Sequence, residues 1–405
     1  MPDYLGEEQH TPQGVVCFLS RIEVCLPAFS SSVERMFVDG IKERSVKAVP
    51  VIAARGVFLR SGSSFKSLVV CFYIVCWLLS PNVAGAGPAA GPQAKVIVLT
   101  DSAGLGDKSF NDVCWQGVLR AKKDFGLDAQ FLQSREQADY ASNLTLAANR
   151  ADIVVTLGYL FADSLREVAP HFPKTRFIHI EGDIPAENVA SFDFRSEEGG
   201  FLAGLTAGLF TKKMLVGVVA GMDIPPVEAY VSGFRAGVKT AQRARGKEIV
   251  TVVGQAGSFD DPVKGKSLAE ALIERGADVI FRAAGNTGIG VLEAVKATSG
   301  VYMIAEDLDQ DAEIPGRVLA STLKRMDIAV YDAIRDAVEG HCRGGHRWLG
   351  VPDGAIDLSD MKYTRQLFDP ADLQRIEKAK YLLKSGKLSV PRRYAEIDSF
   401  AAPEL

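Results

Sequence analysis

Acidic, amide and aromatic side chains stand soon after several short apolar runs of this sequence. Asp101 directly follows the run Lys95–Thr100. Phe110 and Asn111 come shortly afterwards, and Asp307 stands after a similar run later in the chain. An ionised carboxylate accepts strong hydrogen bonds from hydroxyl groups, and aromatic rings stack on flat, polarisable molecules. These residue types suit the binding of a small polar molecule that has a flat part.

The sequence lacks the motifs of common catalytic and nucleotide-binding sites. Gly285-Asn-Thr-Gly-Ile-Gly290 has the order G-x-x-G-x-G, which is not the dinucleotide fingerprint. Gly104-Leu-Gly-Asp-Lys-Ser109 has an aspartate where a phosphate-binding loop requires glycine, and its carboxylate would repel phosphate. No G-x-S-x-G elbow accompanies the histidines. The sequence therefore gives no support for a nucleotide-dependent enzyme or a serine hydrolase.

The elements that position these residues are predicted to be alternating strands and helices. From Ala94 onward, short runs rich in β-branched residues alternate with amphipathic stretches. The runs are apolar throughout, which is typical of parallel strands covered on both faces, and their alternation with helices favours doubly wound sheets. The predicted strands are 95–100, 128–133, 152–156, 175–181, 189–194, 214–220, 248–254, 278–283, 301–305 and 317–322. The predicted helices are 111–125, 138–149, 161–170, 197–211, 227–243, 263–276, 287–298 and 326–341.

An internal repeat favours two sheets over one. Asp152–Gly158 and Asp278–Gly285 each place an aspartate before a strand and a glycine just after it. Two similar lobes with a cleft between them are the simplest arrangement of such a repeat. In open α/β sheets, ligands bind at the carboxyl ends of the strands. The residues expected to line the cleft are 101–111, 158–161, 181–183, 221–226, 281–288, 306–310 and Lys324.

Composition and charge exclude two broad classes of protein. The chain has 405 residues, of which 47% are hydrophobic and 24% charged, with a formal net charge of −4. These values contradict both an intrinsically disordered chain and a strongly basic nucleic-acid binder. The six cysteines include no C-x-x-C pair, and the histidines lack ligand spacing. We therefore predict no metal site and no cofactor, and we expect a monomer.

The first 86 residues have the pattern of an export signal. A positively charged stretch after Met36 precedes the apolar run Ser67–Leu79, and Ala84-Gly85-Ala86 matches a small-residue cleavage site. At about 1.5 Å per residue, the run is too short for the ~30 Å hydrocarbon core of a membrane. We predict a cleaved signal peptide and a periplasmic or otherwise extracytoplasmic protein. The alternatives are an uncleaved anchor or a buried hairpin, and a lipoprotein is less favoured because Cys76 lies inside the run.

Asp101-Ser-Ala-Gly-Leu-Gly-Asp-Lys-Ser-Phe-Asn111 resembles the signature of the basic membrane protein family of ABC-transporter substrate-binding proteins, which includes purine nucleoside receptors. Further segments follow in the family's order: Ser196–Gly204, Gly217–Gly221, Gly233–Gly237, Gly257–Asp261, Ala284–Gly290, Asp307–Gln310 and Ser321–Arg325. The resemblance covers about residues 94–390. It implies a type I periplasmic binding fold, in which two lobes are joined by three crossing segments, placed here near Arg195, Leu323 and Gly350.

The resemblance also implies a domain organisation and a set of partners. Residues 1–86 would be an extension with the signal peptide, 94–195 with 323–349 the first lobe, 196–322 the second lobe, and 350–405 a tail packed on the lobes. The implied ligand is a purine nucleoside or a similar small molecule, and the implied partner is an ABC permease. The resemblance therefore implies a binding protein rather than an enzyme. One alternative is a ligand sensor that reports to a membrane signalling protein, because one fold serves both roles. The other is an exported nucleoside-processing hydrolase.

The resemblance assigns roles to individual residues. Phe110 and Phe281, one in each lobe, would stack on the two faces of the base. Asp307 would accept hydrogen bonds from the ribose hydroxyls, and Lys324 would pair with Asp307 and donate to a sugar oxygen. A base edge needs matched donors and acceptors, for which Asn111 and Asp183 are the candidates. Asp101 and Gly285 are further candidate contacts, and Asp101 could instead cap the turn at 109–111. Structural roles stay open for these residues: core packing for the phenylalanines, a helix cap for Asp307 and an exposed position for Lys324.

The sequence departs from the family pattern at three places. Ser102-Ala103 replaces paired glycines, Ala305-Glu306 replaces Gly-Val before the ribose aspartate, and Gly285-Asn286-Thr287-Gly288 replaces Gly-Gly-Thr-Gly. A second carboxylate beside Asp307 would raise the pKa of one of the two or require a cationic partner. We therefore expect that Glu306 adjusts the choice of ligand and that Asn286 adds a polar contact.

Overall fold

The computed structural model describes residues 93–405. The proposed signal peptide, its cleavage site and the start near Met36 lie outside the described residues. Between Gln93 and Leu405, no helix combines the length and the apolar character needed to cross a bilayer. Cys114 and Cys342 carry free thiols and do not bond each other.

Strands and helices alternate along the described chain. The strands are β1 (Lys95–Thr100), β2 (Asp128–Gln133), β3 (Ile153–Leu157), β4 (Arg176–Ile180), β5 (Val189–Phe194), β6 (Leu215–Ala220), β7 (Val250–Gln255), β8 (Val279–Ala283), β9 (Tyr302–Ala305), β10 (Val318–Lys324), β11 (Gly345–Leu349) and β12 (Ile356–Leu358). The helices are α1 (Phe110–Phe125), α2 (Tyr140–Ala148), α3 (Ala162–Val168), α4 (Ser196–Phe210), α5 (Pro225–Arg245), α6 (Pro262–Glu274), α7 (Thr287–Ala297), α8 (Met326–Val338) and α9 (Pro370–Lys384). Short 3-10 turns lie at Gln137–Asp139, Tyr159–Phe161, Ala169–His171, Val351–Asp353, Arg365–Leu367 and Tyr394–Glu396.

The strands form two sheets. The first has the order β11-β5-β4-β3-β1-β2, with all neighbours parallel. The second has the order β12-β10-β9-β8-β6-β7 and is parallel except for β12, which pairs antiparallel with β10. We call each sheet with the loops at its strand ends a lobe, the first and the second. The predicted fold class, two doubly wound parallel sheets, is confirmed.

The chain passes between the two sheets at three places. It leaves β5 at Arg195, returns from β10 at Arg325, and crosses again after β11 at Gly350. The backbone N–H of Arg195 donates to the Leu349 carbonyl and that of Arg325 to the Ala355 carbonyl, each at 2.8 Å. The crossings therefore lie side by side and hydrogen-bond to one another, which holds the two lobes together at one edge.

Two strands are absent from the sequence-based prediction. β11 has the sequence Gly-His-Arg-Trp-Leu and is partly exposed at the edge of the first sheet. β12 has only three residues, lies at the edge of the second sheet, and falls within the segment 350–405 expected to be a tail. Edge strands are half solvated and are not solidly apolar, so the pattern that identified the central strands does not mark them.

Helices α4 and α5 pack against each other through glycines. All residues of α4 are buried, and its sequence is almost entirely apolar or small. A Cβ at Gly204 would overlap the carbonyl oxygen of Phe234, and one at Gly233 would overlap the carbonyl oxygen of Glu197. The two backbones approach so closely that only glycine can occupy these positions. This contact fixes α5, whose first turn faces the cleft.

We predict that Gly204→Ala lowers the free energy of unfolding by about 2 kcal/mol or more, because the added methyl group forces the two helices apart. Gly246→Ala serves as the control: Gly246 ends α5 with φ 62° and has no neighbour near its missing Cβ. Its replacement adds only backbone strain of about 1 kcal/mol. Urea denaturation measures both, and an unchanged midpoint for Gly204→Ala would contradict the close packing.

Candidate functional site

A cavity lies between the two lobes at the carboxyl ends of their strands. It encloses about 660 Å³, including the part open to solvent, within the usual range for small-molecule sites. Residues of the first lobe that line it are Asp101, Ala103, Asp107, Ser109, Phe110, Asn111, Leu157, Gly158, Tyr159, Leu160 and Glu181. Those of the second lobe are Ile224, Pro226, Val227, Tyr230, Phe259, Ala283, Gly285, Glu306, Asp307 and Lys324. Six of the eight residues assigned from the sequence are among them.

Phe281, expected to face Phe110 across the ligand, instead lies in the hydrophobic core. It is fully buried and stacks on Phe234 of α5, with ring centroids 5.3 Å apart and planes within 2° of parallel. Successive side chains of a strand point to opposite faces of the sheet, and in the middle of β8 this side chain points toward α5. Phe281 does not line the cavity and is therefore not placed to stack on a ligand opposite Phe110.

Phe259 is one of two aromatic side chains, with Tyr230, that the second lobe contributes to the cavity. It follows β7 in the segment Gly257–Asp261 and lines the cavity. Its ring fills space that a side chain at Gly221 would overlap. This segment belongs to the family resemblance, but the carboxyl end of β7 was not among the strand ends expected to line the cleft. The signal that could have found Phe259 is its place directly after a strand.

Asp307 joins the two lobes at the polar end of the cavity. Its carboxylate accepts hydrogen bonds from Ser109 Oγ of the first lobe at 2.9 Å and from Tyr230 Oη at 3.0 Å. Its backbone has φ 65°, a left-handed conformation that residues other than glycine adopt only where the surroundings require it. Asp307 is 5% exposed, so a ligand hydroxyl would meet this carboxylate in a nearly dry environment.

Lys324 is buried and forms an ion pair between the lobes, but its partner is Glu181 and not the expected Asp307. The Nζ atom donates directly to the Glu181 carboxylate. It also lies 5.4 Å from the ring centre of Phe110 and 5.6 Å from that of Tyr230. Burial disfavours the charged amine, but the charges of Glu181 and Asp307 outweigh this effect and raise the pKa of Lys324. Lys324 is therefore a fixed cation at the floor of the cavity.

Asn111 and Asp101 form a second polar group in the first lobe. Asn111 Nδ2 donates to Asp101 Oδ1 at 3.1 Å. Asn111 Oδ1 is buried without a partner among residues 93–405. Asp101 also accepts from the Ala103 N–H, and burial raises its pKa. These side chains can offer a ligand both a carboxylate and an amide oxygen that need hydrogen-bond donors.

Asp183, expected at the base edge, does not line the cavity. Its side chain is 61% exposed and lies 3.8 Å from Nδ1 of His346. Glu181, two residues earlier and just after β4, points into the cavity instead. Glu181 has φ 71°. This left-handed backbone conformation turns the chain away from the direction of β4.

A second carboxylate beside Asp307 was expected to raise the pKa of one of the two or to need a cationic partner, and Glu306 shows both effects. Burial and the charge of Asp307 raise the pKa of Glu306 to about 7, and Arg282 supplies a cation, with Nε 3.8 Å from Glu306 Oε1. The same oxygen accepts from the N–H groups of Ala284 and Gly285, at 2.7 and 2.9 Å. Glu306 therefore fixes the loop after β8.

Asn286, the other polar departure from the family pattern, is directed away from the cavity. Its Nδ2 atom donates to Asp260 Oδ1 at 2.7 Å. Asp260 follows Phe259, so this bond ties the loop after β8 to the loop that carries the aromatic ring. Asn286 therefore supports the position of Phe259 and is not among the residues that line the cavity.

Carboxylates outnumber cations in the cavity. Five carboxyl groups line it, from Asp101, Asp107, Glu181, Glu306 and Asp307, against one amine from Lys324. Such a site favours a ligand that donates hydrogen bonds, and with a single amine it offers an anion little compensation.

The sequence and fold have known relatives. A family model described as "ABC transporter substrate-binding protein PnrA-like" matches residues 94–392. The chain is 32% identical over 321 residues to the "CD4+ T-cell-stimulating antigen" of Listeria monocytogenes, covering 74% of this chain and 88% of that protein. It is 28% identical over 337 residues to the "ABC transporter nucleoside-binding protein BmpA" of Lactococcus lactis, covering 78% and 93%. It is also 32% identical over 286 residues to an "uncharacterized lipoprotein" of Pyrococcus abyssi, covering 68% and 71%.

Solved structures give the same result for the fold. A solute-binding protein of an ABC transporter system from Aeropyrum pernix superimposes with a TM-score of 0.71 at 31% identity, covering 76% of this chain and 96% of that one. A second solute-binding protein, from Conexibacter woesei, superimposes with a TM-score of 0.59 at 23% identity, covering 74% and 99%.

We predict that the free energy of unfolding falls as pH rises from 5 to 8, because burial raises the pKa values of Asp107, Glu197 and Glu306 to about 7. Burial lowers the pKa of His179 to about 3 and acts in the opposite direction, but the three carboxyl groups outnumber this single histidine. Each carboxyl group binds its proton more tightly in the folded chain, so the stabilisation present at low pH is lost as pH passes through about 7. Glu306→Gln removes one of the three carboxyl groups and should flatten the decline by about 2 kcal/mol.

Urea denaturation at pH 5, 6, 7 and 8 measures this slope. Glu293→Gln, at an exposed position of α7, is the matched control and should leave the slope unchanged. Equal slopes for Glu306→Gln and the wild-type protein would contradict a raised pKa at Glu306.

Proposed function

Because this chain belongs to the PnrA-like, or basic membrane protein, family of ABC-transporter substrate-binding proteins, we propose that its cavity binds a purine nucleoside and presents it to a membrane permease. Proteins of this family bind their ligands and are not enzymes. The name of the Lactococcus lactis relative, a nucleoside-binding protein, supports the ligand class. The observation that carries the proposal is that Phe110 from one lobe and Phe259 and Asp307 from the other line a single cavity.

The base is proposed to lie between Phe110 and Phe259. Stacking of a base on an aromatic side chain is worth about 1–3 kcal/mol and does not depend on which hydrogen-bond donors and acceptors the base carries. Specificity for a purine would come from its edge. The free oxygen of Asn111 and the carboxylate of Asp101 are acceptors, so they suit a base that presents N–H groups.

The sugar is proposed to lie against Asp307. A carboxylate can accept hydrogen bonds from both vicinal hydroxyls of a ribose, and these bonds are strengthened by its charge. Lys324 stands nearby as a fixed donor, although its first partner is Glu181. The excess of carboxylates disfavours a phosphate on the sugar, so the proposed ligand is a nucleoside and not a nucleotide.

Binding is proposed to close the two lobes around the ligand, and the closed form would dock on the permease. Contacts from both lobes to one ligand stabilise the closed state relative to the open one. We propose that the chain acts outside the cytoplasm after export. The lipoprotein names of relatives such as that of Pyrococcus abyssi accord with this location, and the position of cleavage lies outside the described residues.

The direct test is calorimetry with adenosine, guanosine, inosine, cytidine and adenosine monophosphate, combined with mass spectrometry of any ligand retained on purification. We expect the purine nucleosides to bind, the nucleotide to be rejected and each ligand to be recovered intact. Binding of a chemically different retained molecule in preference to all nucleosides would refute the proposed ligand class. Release of free base would refute a pure binding role.

We predict that Phe259→Leu weakens adenosine binding at least about tenfold, or ~1.4 kcal/mol, because the leucine side chain cannot stack on the base. Phe281→Leu is the matched control. It should lower the free energy of unfolding by about 1–3 kcal/mol through a core cavity and leave the affinity nearly unchanged. Calorimetry measures the affinity and urea denaturation the free energy of unfolding. A loss of affinity in Phe281→Leu but not in Phe259→Leu would show that Phe281 contacts the ligand.

We predict that Asp307→Asn weakens adenosine binding about tenfold or more but weakens adenine binding much less, because adenine lacks the hydroxyls that the carboxylate would accept. Calorimetry with both ligands measures the difference. The same loss for adenine and adenosine would show that Asp307 does not contact the sugar.

A further inference from the structure

Three consecutive residues of the first lobe reach into the second lobe beside the cavity. We call this segment, Asp107-Lys108-Ser109, the tongue. Its backbone carbonyls accept hydrogen bonds: Asp107 O from Arg282 Nη2 at 3.4 Å, and Lys108 O from Gln310 Nε2 at 3.0 Å. In addition, Ser109 Oγ donates to Asp307 Oδ2 at 2.9 Å, and Lys108 forms an ion pair with Glu313 at 2.7 Å.

The tongue is rigid within its own lobe. The Asp107 carboxylate accepts from the N–H groups of Ser109, Asn111 and Asp112, at 2.9 to 3.2 Å, and so caps the start of α1. Lys108 has φ 50°, and Asp112 accepts its N–H at 2.9 Å. These bonds use the N–H groups and leave the carbonyls of Asp107 and Lys108 directed toward the second lobe.

The receiving groups in the second lobe are also held in place. Arg282 is fully buried, and its Nη1 atom donates to Gln310 Oε1 at 3.0 Å. Arg282 Nη2 donates to the carbonyl of Gly285 at 3.1 Å, and Gln310 Nε2 donates to that of Glu306 at 3.1 Å. A Cβ at Gly288 would overlap the guanidinium group. Arg282 and Gln310 thus present their donors without further reorganisation.

Neither Arg282 nor Gln310 lines the cavity, but both donate hydrogen bonds to the tongue. Phe110 and Asn111 follow the tongue directly, so the position of the tongue sets theirs. Glu306, which departs from the family pattern, contacts Arg282 through its carboxylate and Gln310 through its carbonyl.

We propose that Arg282 and Gln310 are positioning residues that latch the tongue when the lobes close, so that part of the ligand's residence time comes from contacts between the lobes. The proposal rests on the proposed function in assuming that the lobes close around a ligand. It assigns to Glu306 the role of orienting the latch. Glu306, which stands where the family has valine, then alters how the two lobes close and leaves the class of ligand unchanged.

The latch is tested with Gln310→Met, which keeps the size of the side chain and removes its donor to Lys108 and its acceptor for Arg282. Arg282→Lys is the second variant, because it retains a cation beside Glu306 but loses the planar guanidinium group. Gln242→Met is the matched control. Gln242 Nε2 donates to the Ile249 carbonyl at 3.0 Å, a bond of the same kind within one lobe.

Stopped-flow binding of adenosine gives the first readout. Without the latch, we expect the dissociation rate of Gln310→Met to rise about tenfold and the association rate to change less than about twofold, because the latch contacts form only after encounter. Arg282→Lys should behave similarly, and Gln242→Met should match the wild-type protein. Unchanged dissociation from both latch variants would overturn the proposal.

The second readout needs no bound ligand and so separates this inference from the proposed function. Spin labels at Lys123→Cys on α1 and Lys266→Cys on α6, both exposed positions, report the distance between the lobes. All natural cysteines except the buried Cys114 are replaced by serine, so that they take no label. We expect a closed population in the wild-type protein that Gln310→Met diminishes, whether or not adenosine binds. A distance distribution that is the same for wild type and Gln310→Met, or a wild-type protein with no closed population in any condition, would overturn the latch.

Discussion

The excess of buried carboxylates over cations is the constraint on which the site depends. Five acidic side chains line the cavity with one lysine among them, and each buried carboxylate needs donors to offset its lost hydration. The protein supplies them from several sources: the first turn of α1 for Asp107, Tyr230 and Ser109 for Asp307, two backbone N–H groups for Glu306, and Lys324 for Glu181. Donors from a ligand would complete the set, and for that reason a molecule rich in hydroxyl and N–H groups suits the cavity better than an anion.

Several of these donors and acceptors lie on opposite lobes, so satisfying the carboxylates also brings the lobes together. Ser109 reaches Asp307, Glu181 reaches Lys324, and the tongue meets Arg282 and Gln310. These contacts form together when the lobes meet and are lost together when the lobes separate, so the arrangement is cooperative. Recognition of a ligand and association of the lobes are therefore two aspects of one hydrogen-bonded network.

The two polar departures from the family pattern act through this network. Glu306 holds the loop after β8 and stands beside Arg282, and Asn286 ties that loop to the segment carrying Phe259. Both therefore act on the framework of the second lobe. A polar residue predicted from the sequence to contact a ligand can equally serve to orient the residues that do.

The sequence by itself determined the family, the two parallel sheets, the central strands and the edge of the sheets at which the cavity lies. Apolar runs separated by amphipathic helices require parallel strands, and parallel strands place all their carboxyl ends together. It also singled out six residues that line the cavity: Asp101, Gly285, Asp307 and Lys324 at strand ends, and Phe110 and Asn111 at the start of α1. Only the tertiary structure decided that Phe259 and not Phe281 faces the cavity, and that Lys324 pairs with Glu181 and not Asp307. A strand buried on both faces carries no alternation of polar and apolar residues, so nothing in its sequence tells which face a given side chain takes. Likewise, the partner of a buried charge depends on distances across the cleft, which exist only once the two lobes have come together.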